Sequence, residues 1–270
     1  MLSTRLAAII ALAILPAFGQ APEAAAPSRD KIARHRHGPI RDLEDHHDGT
    51  SSSTNWSGYA ALGSGFTSAT GSWVVPVAKC PSGTQYASFW VGLDGYTKSS
   101  DTVEQTGTDS DCEGTRPSYY AWYEFYPKGS FTIGSLPIKP GDNMSASVTY
   151  NGSEFTVSIT NETTGKTYSK SAAVPTAKRS SAEWIAEAPC CRASGAILPL
   201  ADFGTALFGE DSTSVSGTNY ATDSATSGPI SDFPTFYQIT MARKKSGKLE
   251  AVPTALSSDG TSFSVTWDAR

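Results

Sequence analysis

The chain has 270 residues, 17% of them charged, and 26 acids against 21 bases leave a net charge of −5. That length allows one large all-β domain or two ordinary ones around a sizeable core. The acidic balance offers no basic footprint, so no nucleic-acid partner is expected.

All four histidines (His35, His37, His46 and His47) precede residue 48. If the first 47 residues stand outside the working domain, Ser-His-Asp and Cys-His catalysis are excluded there, and so is a zinc site built on imidazole. No metal and no cofactor are expected.

Residues 1–19 read as a secretory signal. Arg5 supplies the positive end, Leu6 to Phe18 an apolar run, and Ala17 and Gly19 the small residues before a cut at Gln20 or after Ala21. The run is shorter than the ~20 apolar residues a membrane span needs. No later segment is long or apolar enough. The expectation is a secreted chain, extracellular or periplasmic, working as a monomer without a membrane span.

Residues 20–53 are Ala/Pro-rich at first and then densely charged and His-rich. Without a sustained apolar face they read as a disordered or weakly helical pro-segment and linker. The histidines make this a detachable, pH-sensitive leader; metal binding by the His tract is the alternative reading. Mature chain is expected to begin near Ser51–Thr54.

Cys80, Cys112, Cys190 and Cys191 are even in number and form no C-x-x-C pair, which favours disulfides over a metal site. Three connectivities exist. The favoured one joins Cys80 to Cys112 and leaves Cys190 and Cys191 vicinally bonded or free.

From Asn55 onward short β-type runs alternate with Gly, Pro, Asn and Asp. Strands are expected at 56–62, 69–76, 86–94, 102–107, 118–127, 142–150, 153–160, 181–187, 234–242, 249–256 and 261–267. Tyr150-Asn151-Gly152 and Ser258-Asp259-Gly260 are hairpin signals. Many strands, no long amphipathic helix and no internal repeat predict an all-β antiparallel sandwich or barrel, with residues 54–270 as a single domain.

Period-2 reading separates the faces. Phe89, Val91 and Leu93 share one face, with Trp90 and Asp94 on the other. Glu124 shares a face with Tyr120, Trp122 and Tyr126. Glu183, Ile185 and Glu187 oppose Trp184 and Ala186. Faces that mix aromatics with carboxylates suit a groove for peptide or sugar, because aromatic walls supply area and a few polar groups supply orientation. With histidine absent, carboxylates are the natural acid–base groups. The apolar Trp184-Ile185-Ala186 between Glu183 and Glu187 predicts partial burial, which raises a carboxyl pKa.

Five blocks occur in order: Thr54-Asn55-Trp56-Ser57-Gly58, Phe89-Trp90-Val91-Gly92-Leu93-Asp94-Gly95, Glu104-Gln105-Thr106-Gly107, Tyr120-Ala121-Trp122-Tyr123-Glu124-Phe125-Tyr126-Pro127, and Ala182-Glu183-Trp184-Ile185-Ala186-Glu187. Together they resemble the glutamic peptidases, or eqolisins, over most of residues 54–270. The resemblance implies a concanavalin/lectin-like sandwich of two antiparallel sheets, secreted acid endopeptidase activity on protein and peptide substrates, and a catalytic dyad at Gln105 and Glu187. It implies a substrate cleft lined or supported by Trp90, Asp94, Asp109, Glu124 and Tyr126. Where the fungal members carry an Asp beside the Ala-Trp-Tyr-Glu block, this chain has Tyr120, so the carboxylate network is altered. Two other readings of the same face are a glycoside hydrolase, since paired carboxylates with Trp and Tyr also suit sugars, and a non-catalytic lectin-like binding module.

Overall fold

Alternation of apolar with small or polar side chains decides which segments become strands, and their pairing builds two antiparallel sheets. The computed structural model describes residues 30–33, 35–190 and 196–268. One sheet runs in the order Thr235–Ala242, Trp56–Leu62, Ser181–Glu187, Ser88–Leu93, Val103–Glu113 and Arg116–Tyr126, with every neighbour antiparallel. The other runs Lys166–Ala172, Phe155–Asn161, Asn143–Tyr150 and Ser68–Val74. It continues through Thr205–Phe208 to Phe263–Trp267 and Leu249–Pro253. Leu249–Pro253 also pairs with the end of Thr235–Ala242, so the sheets join at that edge.

Both expected hairpins form: Tyr150 stands opposite Phe155, and Pro253 opposite Val265. Gly152 and Gly260 take φ of 102° and 74° in those turns, a region that favours glycine. Lys166–Ala172 escapes the sequence reading because it is an edge strand of mostly exposed Lys, Thr and Ser, without the apolar alternation that marks a half-buried strand. Helix is limited to short turns such as Glu210–Thr213 and Ile230–Asp232. No helix among the described residues is long and apolar enough to cross a membrane.

Phe89, Val91, Leu93, Trp184 and Ala186 pack between the sheets with Trp73, Val148, Phe155, Val157, Phe208 and Val265. Burying a side chain such as Phe, Leu or Val is worth roughly 1.5–3 kcal/mol. On the other face of the same strands, Trp56, Trp90, Trp122 and Ile185 form a second buried cluster. The period-2 assignment of faces therefore holds. These strands bury both faces.

The favoured Cys80–Cys112 disulfide is present. Cys190 is disulfide-bonded as well; Cys191 and the signal-like residues 1–19 lie outside the described residues.

The leader departs from the expected disordered or weakly helical tract. Lys31–Ile32 pairs with Phe131–Thr132, Glu44–Asp45 pairs with Thr50–Ser53, and Thr50–Ser53 lies parallel to Thr235–Ala242. Lacking an apolar face of its own, the tract is held by backbone hydrogen bonds and by side chains that enter the domain.

Candidate active site

Antiparallel register places the carboxylates. On the face turned away from the inter-sheet core, Ser88 pairs with both Glu187 and Asp109, and Asp109 with Tyr120. Four residues along the strands, Gly92 pairs with Glu183 and Gln105, and Gln105 with Glu124. Between these two polar rows runs an apolar one of Ile185, Trp90, Gly107 and Trp122. Gly107 is required there, because a Cβ would stand 2.3 Å from the Phe89 carbonyl oxygen and 2.5 Å from Trp90 Cβ. Trp90 thus lies close over the neighbouring strand, and its Nε1 donates to Glu187 Oε2 at 2.8 Å.

The leader crosses this face. His37 N donates to Glu124 Oε2 at 2.8 Å, and the Gln105 side-chain amide donates to the His37 carbonyl oxygen. Trp56 Nε1 donates to the Gly38 carbonyl oxygen at 3.2 Å. The His37 ring stacks on Trp122 with centroids 3.5 Å apart and planes 5° from parallel. Its Nε2 lies 3.3 Å from Asp109 Oδ1 and its Nδ1 3.4 Å from Glu124 Oε2. His35 Nε2 contacts Asp109 Oδ2 at 2.5 Å. On either side, Arg36 and Cys190 exchange backbone hydrogen bonds, and Ile40 N donates to the Gly95 carbonyl. His35, His37, Gln105, Asp109, Glu124 and Glu187 are all buried.

Burial and charge together set the protonation of this cluster. Burial opposes a charged His37 ring, but Asp109 and the contacts with Glu124 outweigh it and push the pKa up to about 10. Asp109 is likewise opposed by burial, yet His37 and His35 hold it below the usual carboxylate range. Glu187 is raised to about 8 by burial, partly offset by His37 and by the Trp90 hydrogen bond. Burial also raises Glu124. The result is an imidazolium on ionised Asp109, beside a protonated Glu187 at neutral pH. His35, His37 and Asp109 bring three ligand-type atoms within 4.8 Å of one another.

The residues expected to line the cleft separate into two groups. Gln105, Asp109 and Glu124 contact the leader, Glu187, held by Trp90, feels the charge of His37, and the Tyr126 ring packs 3.5 Å from where a Cβ on Gly38 would stand. Asp94 is turned elsewhere. Its carboxylate accepts the backbone N–H groups of Lys178, Arg179 and Ser180, and the Ser180 hydroxyl, at 2.6–2.9 Å. It supports the segment leading into Ser181–Glu187 rather than meeting the leader. Tyr120, the departure from the fungal pattern, donates to Asp111 Oδ2 at 2.8 Å and lies 3.4 Å from His35 Nε2. Trp56 and Trp122 were not among the expected site residues, although Trp122 was placed on the same face as Glu124. His35 and His37 were assigned to the leader, and nothing in their spacing tells that they enter the cleft.

The sequence pattern of the Peptidase A4 family matches residues 54–248. A sandwich with this polar face and this match defines the class: the chain belongs to the Peptidase A4 family, the eqolisins. It is 32% identical to aspergillopepsin-2 of Aspergillus niger over 179 residues, covering 58% of this chain and 62% of that protein. It is 33% identical to scytalidopepsin B of Scytalidium lignicola over 181 residues, covering 64% of this chain and 68% of that protein. The chain therefore spans less than two thirds of the length of the Aspergillus relative. Among solved structures, scytalido-glutamic peptidase with a transition state analog inhibitor superposes with a TM-score of 0.65 at 26% identity, covering 80% of this chain and 98% of that one.

Proposed function

We propose that this chain is the precursor of an exported acid endopeptidase that hydrolyses protein substrates with a Gln105/Glu187 dyad and an activated water. One observation carries the reading: the groove already holds a peptide by its main chain, with Glu124 accepting the His37 N–H and Gln105 donating to the His37 carbonyl. A carbonyl held by a neutral amide donor is polarised, and the same donor stabilises the oxyanion that forms when water adds. Ionised Glu187 takes a proton from the attacking water and returns it to the leaving amine. No covalent intermediate is needed. Trp90 orients Glu187 through its indole N–H.

The leader also explains how the base is held off. While it covers the face, burial keeps Glu187 near 8 and hence protonated in acid. Departure of the leader admits water and lowers that burial penalty, so the carboxyl returns towards its ordinary range and ionises in mild acid. This supports residues 20–53 as a pro-segment ahead of a catalytic domain at residues 54–270. The Cys80–Cys112 disulfide supports an oxidising compartment. The glycoside hydrolase and lectin readings gain no support from the family match or from the peptide in the groove.

The reading is tested by casein hydrolysis across pH with the wild type and Glu187→Gln compared. Activity confined to acid and absent from the variant is expected; release of reducing sugar without peptide products would overturn it.

A further inference from the structure

Leader and domain also meet away from the cleft. Tyr123 and Tyr168 donate their hydroxyls to one oxygen of Asp30, Oδ2, at 3.2 Å and 2.5 Å. Their rings stack with centroids 5.6 Å apart, and Tyr123 stacks in turn on Phe131 at 5.4 Å. Tyr123 comes from Arg116–Tyr126 and Tyr168 from Lys166–Ala172, so the pair bridges the two sheets at one edge of the sandwich. Lys166 and Lys170 lie two positions either side of Tyr168 on the same face of its strand, and both are exposed. Burial raises both phenols and the charge of Asp30 raises them further, so each hydroxyl keeps its proton and donates.

Between this clamp and the cleft, Lys31–Ile32 pairs with Phe131–Thr132, and Ala33 N donates to the Ser130 carbonyl oxygen at 2.9 Å. Ile32 is 78% exposed, so the stretch is held by its main chain, as an added strand that any extended peptide can supply. Discrimination falls to the clamp. Two donors aimed at one oxygen beside two lysines suit a carboxylate, whose charge-assisted bonds are about twice as strong as neutral ones. An apolar side chain there would leave the buried Tyr123 hydroxyl without that acceptor.

We infer that Tyr123 and Tyr168 form a second binding site of the enzyme, outside the cleft, for an acidic side chain of an extended polypeptide, seven residues before the residue whose carbonyl Gln105 holds. The leader fills this site with Asp30, and a protein substrate fills it once the leader has gone. The inference rests on the peptidase reading above and narrows its substrate class to extended chain that is acidic at this distance. Seven residues span at most about 25 Å, so shorter substrates occupy the cleft without reaching the clamp.

The experiment takes the full chain, held at about pH 5 until it cuts casein at a constant rate; an aspartate in a free peptide is charged there. It is given peptides with one cleavable bond and a single Asp placed five, six, seven, eight or nine residues before the residue whose carbonyl is attacked, or Ala instead. Mass spectrometry identifies the bond cut. The expected result is a kcat/KM about tenfold higher with Asp at the seventh position than with Ala, the scale of one hydrogen bond to a charged group. The gain should be carried by KM, because the clamp is remote from the reacting atoms, and should fall away at the other positions. Tyr168→Phe and Tyr123→Phe keep the ring stack and remove one donor each; each should shrink the gain, and the two together should abolish it. An Ala peptide cut as well as the Asp peptide, a gain independent of position, or a gain that survives the double substitution overturns the clamp and leaves the peptidase reading standing. No hydrolysis of casein or of any peptide overturns both.

Discussion

Gln105 donates its side-chain amide to the main-chain oxygen of His37, a residue 68 positions earlier in the chain. A leader read from composition as a detachable tail is thereby tied to one member of the dyad, and its imidazole reaches the carboxylates around the other. The leader's main chain thus meets the two side chains, Gln105 and Glu124, through which the proposed function has a substrate held.

Removing the donor isolates its part. Gln105→Ala should lower kcat on peptide substrates by about 10²–10³, the scale for loss of one oxyanion donor. Circular dichroism should be unchanged, because the strand pairing of Val103–Glu113 does not depend on that side chain. A variant within a few-fold of wild type would remove Gln105 from the mechanism.

Asp94 should matter through stability. Three backbone N–H groups and one hydroxyl depend on its carboxylate, and leaving such donors unsatisfied costs about 1–3 kcal/mol. Urea denaturation of Asp94→Ala should show a loss of that size or somewhat more. An unchanged midpoint would show that water replaces the carboxylate at no cost.

Glu104 sets the sign of the stability profile against pH. It points into the inter-sheet core, without a hydrogen-bond partner for either oxygen, and burial followed by the charge of Asp94 raises it from 4.5 to about 9. Glu187 is raised to about 8. Since the fold favours their neutral forms, the contribution is complete below about 4.5 and is lost as pH rises through 8 and 9. Melting should therefore occur at a higher temperature near pH 5 than near pH 8. Glu104→Gln should raise the melting temperature at the higher pH and change it little at the lower. Equal destabilisation at both would mean that the carboxyl has a partner in solution.

The Cys80–Cys112 bridge closes a loop of 32 positions, and a loop of that size is worth about 2–4 kcal/mol. Cys80→Ser with Cys112→Ser should lose that much stability in denaturant. Activity below the unfolding transition should persist, because neither cysteine touches the leader or the dyad.

Much of the fold was legible because period-2 alternation is a local signal: Phe89, Val91 and Leu93 against Trp90 could be sorted without knowing what they pack on. The carboxylate face was legible for the same reason, and the ordered blocks gave Gln105 and Glu187 their expected roles. Other features were not. The supporting role of Asp94 could not be told from a lining one by alternation, because its partners Lys178, Arg179 and Ser180 come from a loop 84–86 positions away. Lys166–Ala172 has no buried face to betray it. The leader carries no apolar pattern, since its order comes from main-chain pairing and from imidazolium–carboxylate contacts over long sequence separations. The absence of histidine after residue 47 pointed away from imidazole chemistry, while the leader's own imidazole sits at the centre of the closed site.

The central claim is that Glu187 is the base. Casein hydrolysis at acid pH by wild type and Glu187→Gln, with the near-ultraviolet circular dichroism of both recorded, tests it most directly. The account predicts a loss of about 10²–10⁴ in rate with an unchanged spectrum; a natively folded variant that keeps full activity would contradict it.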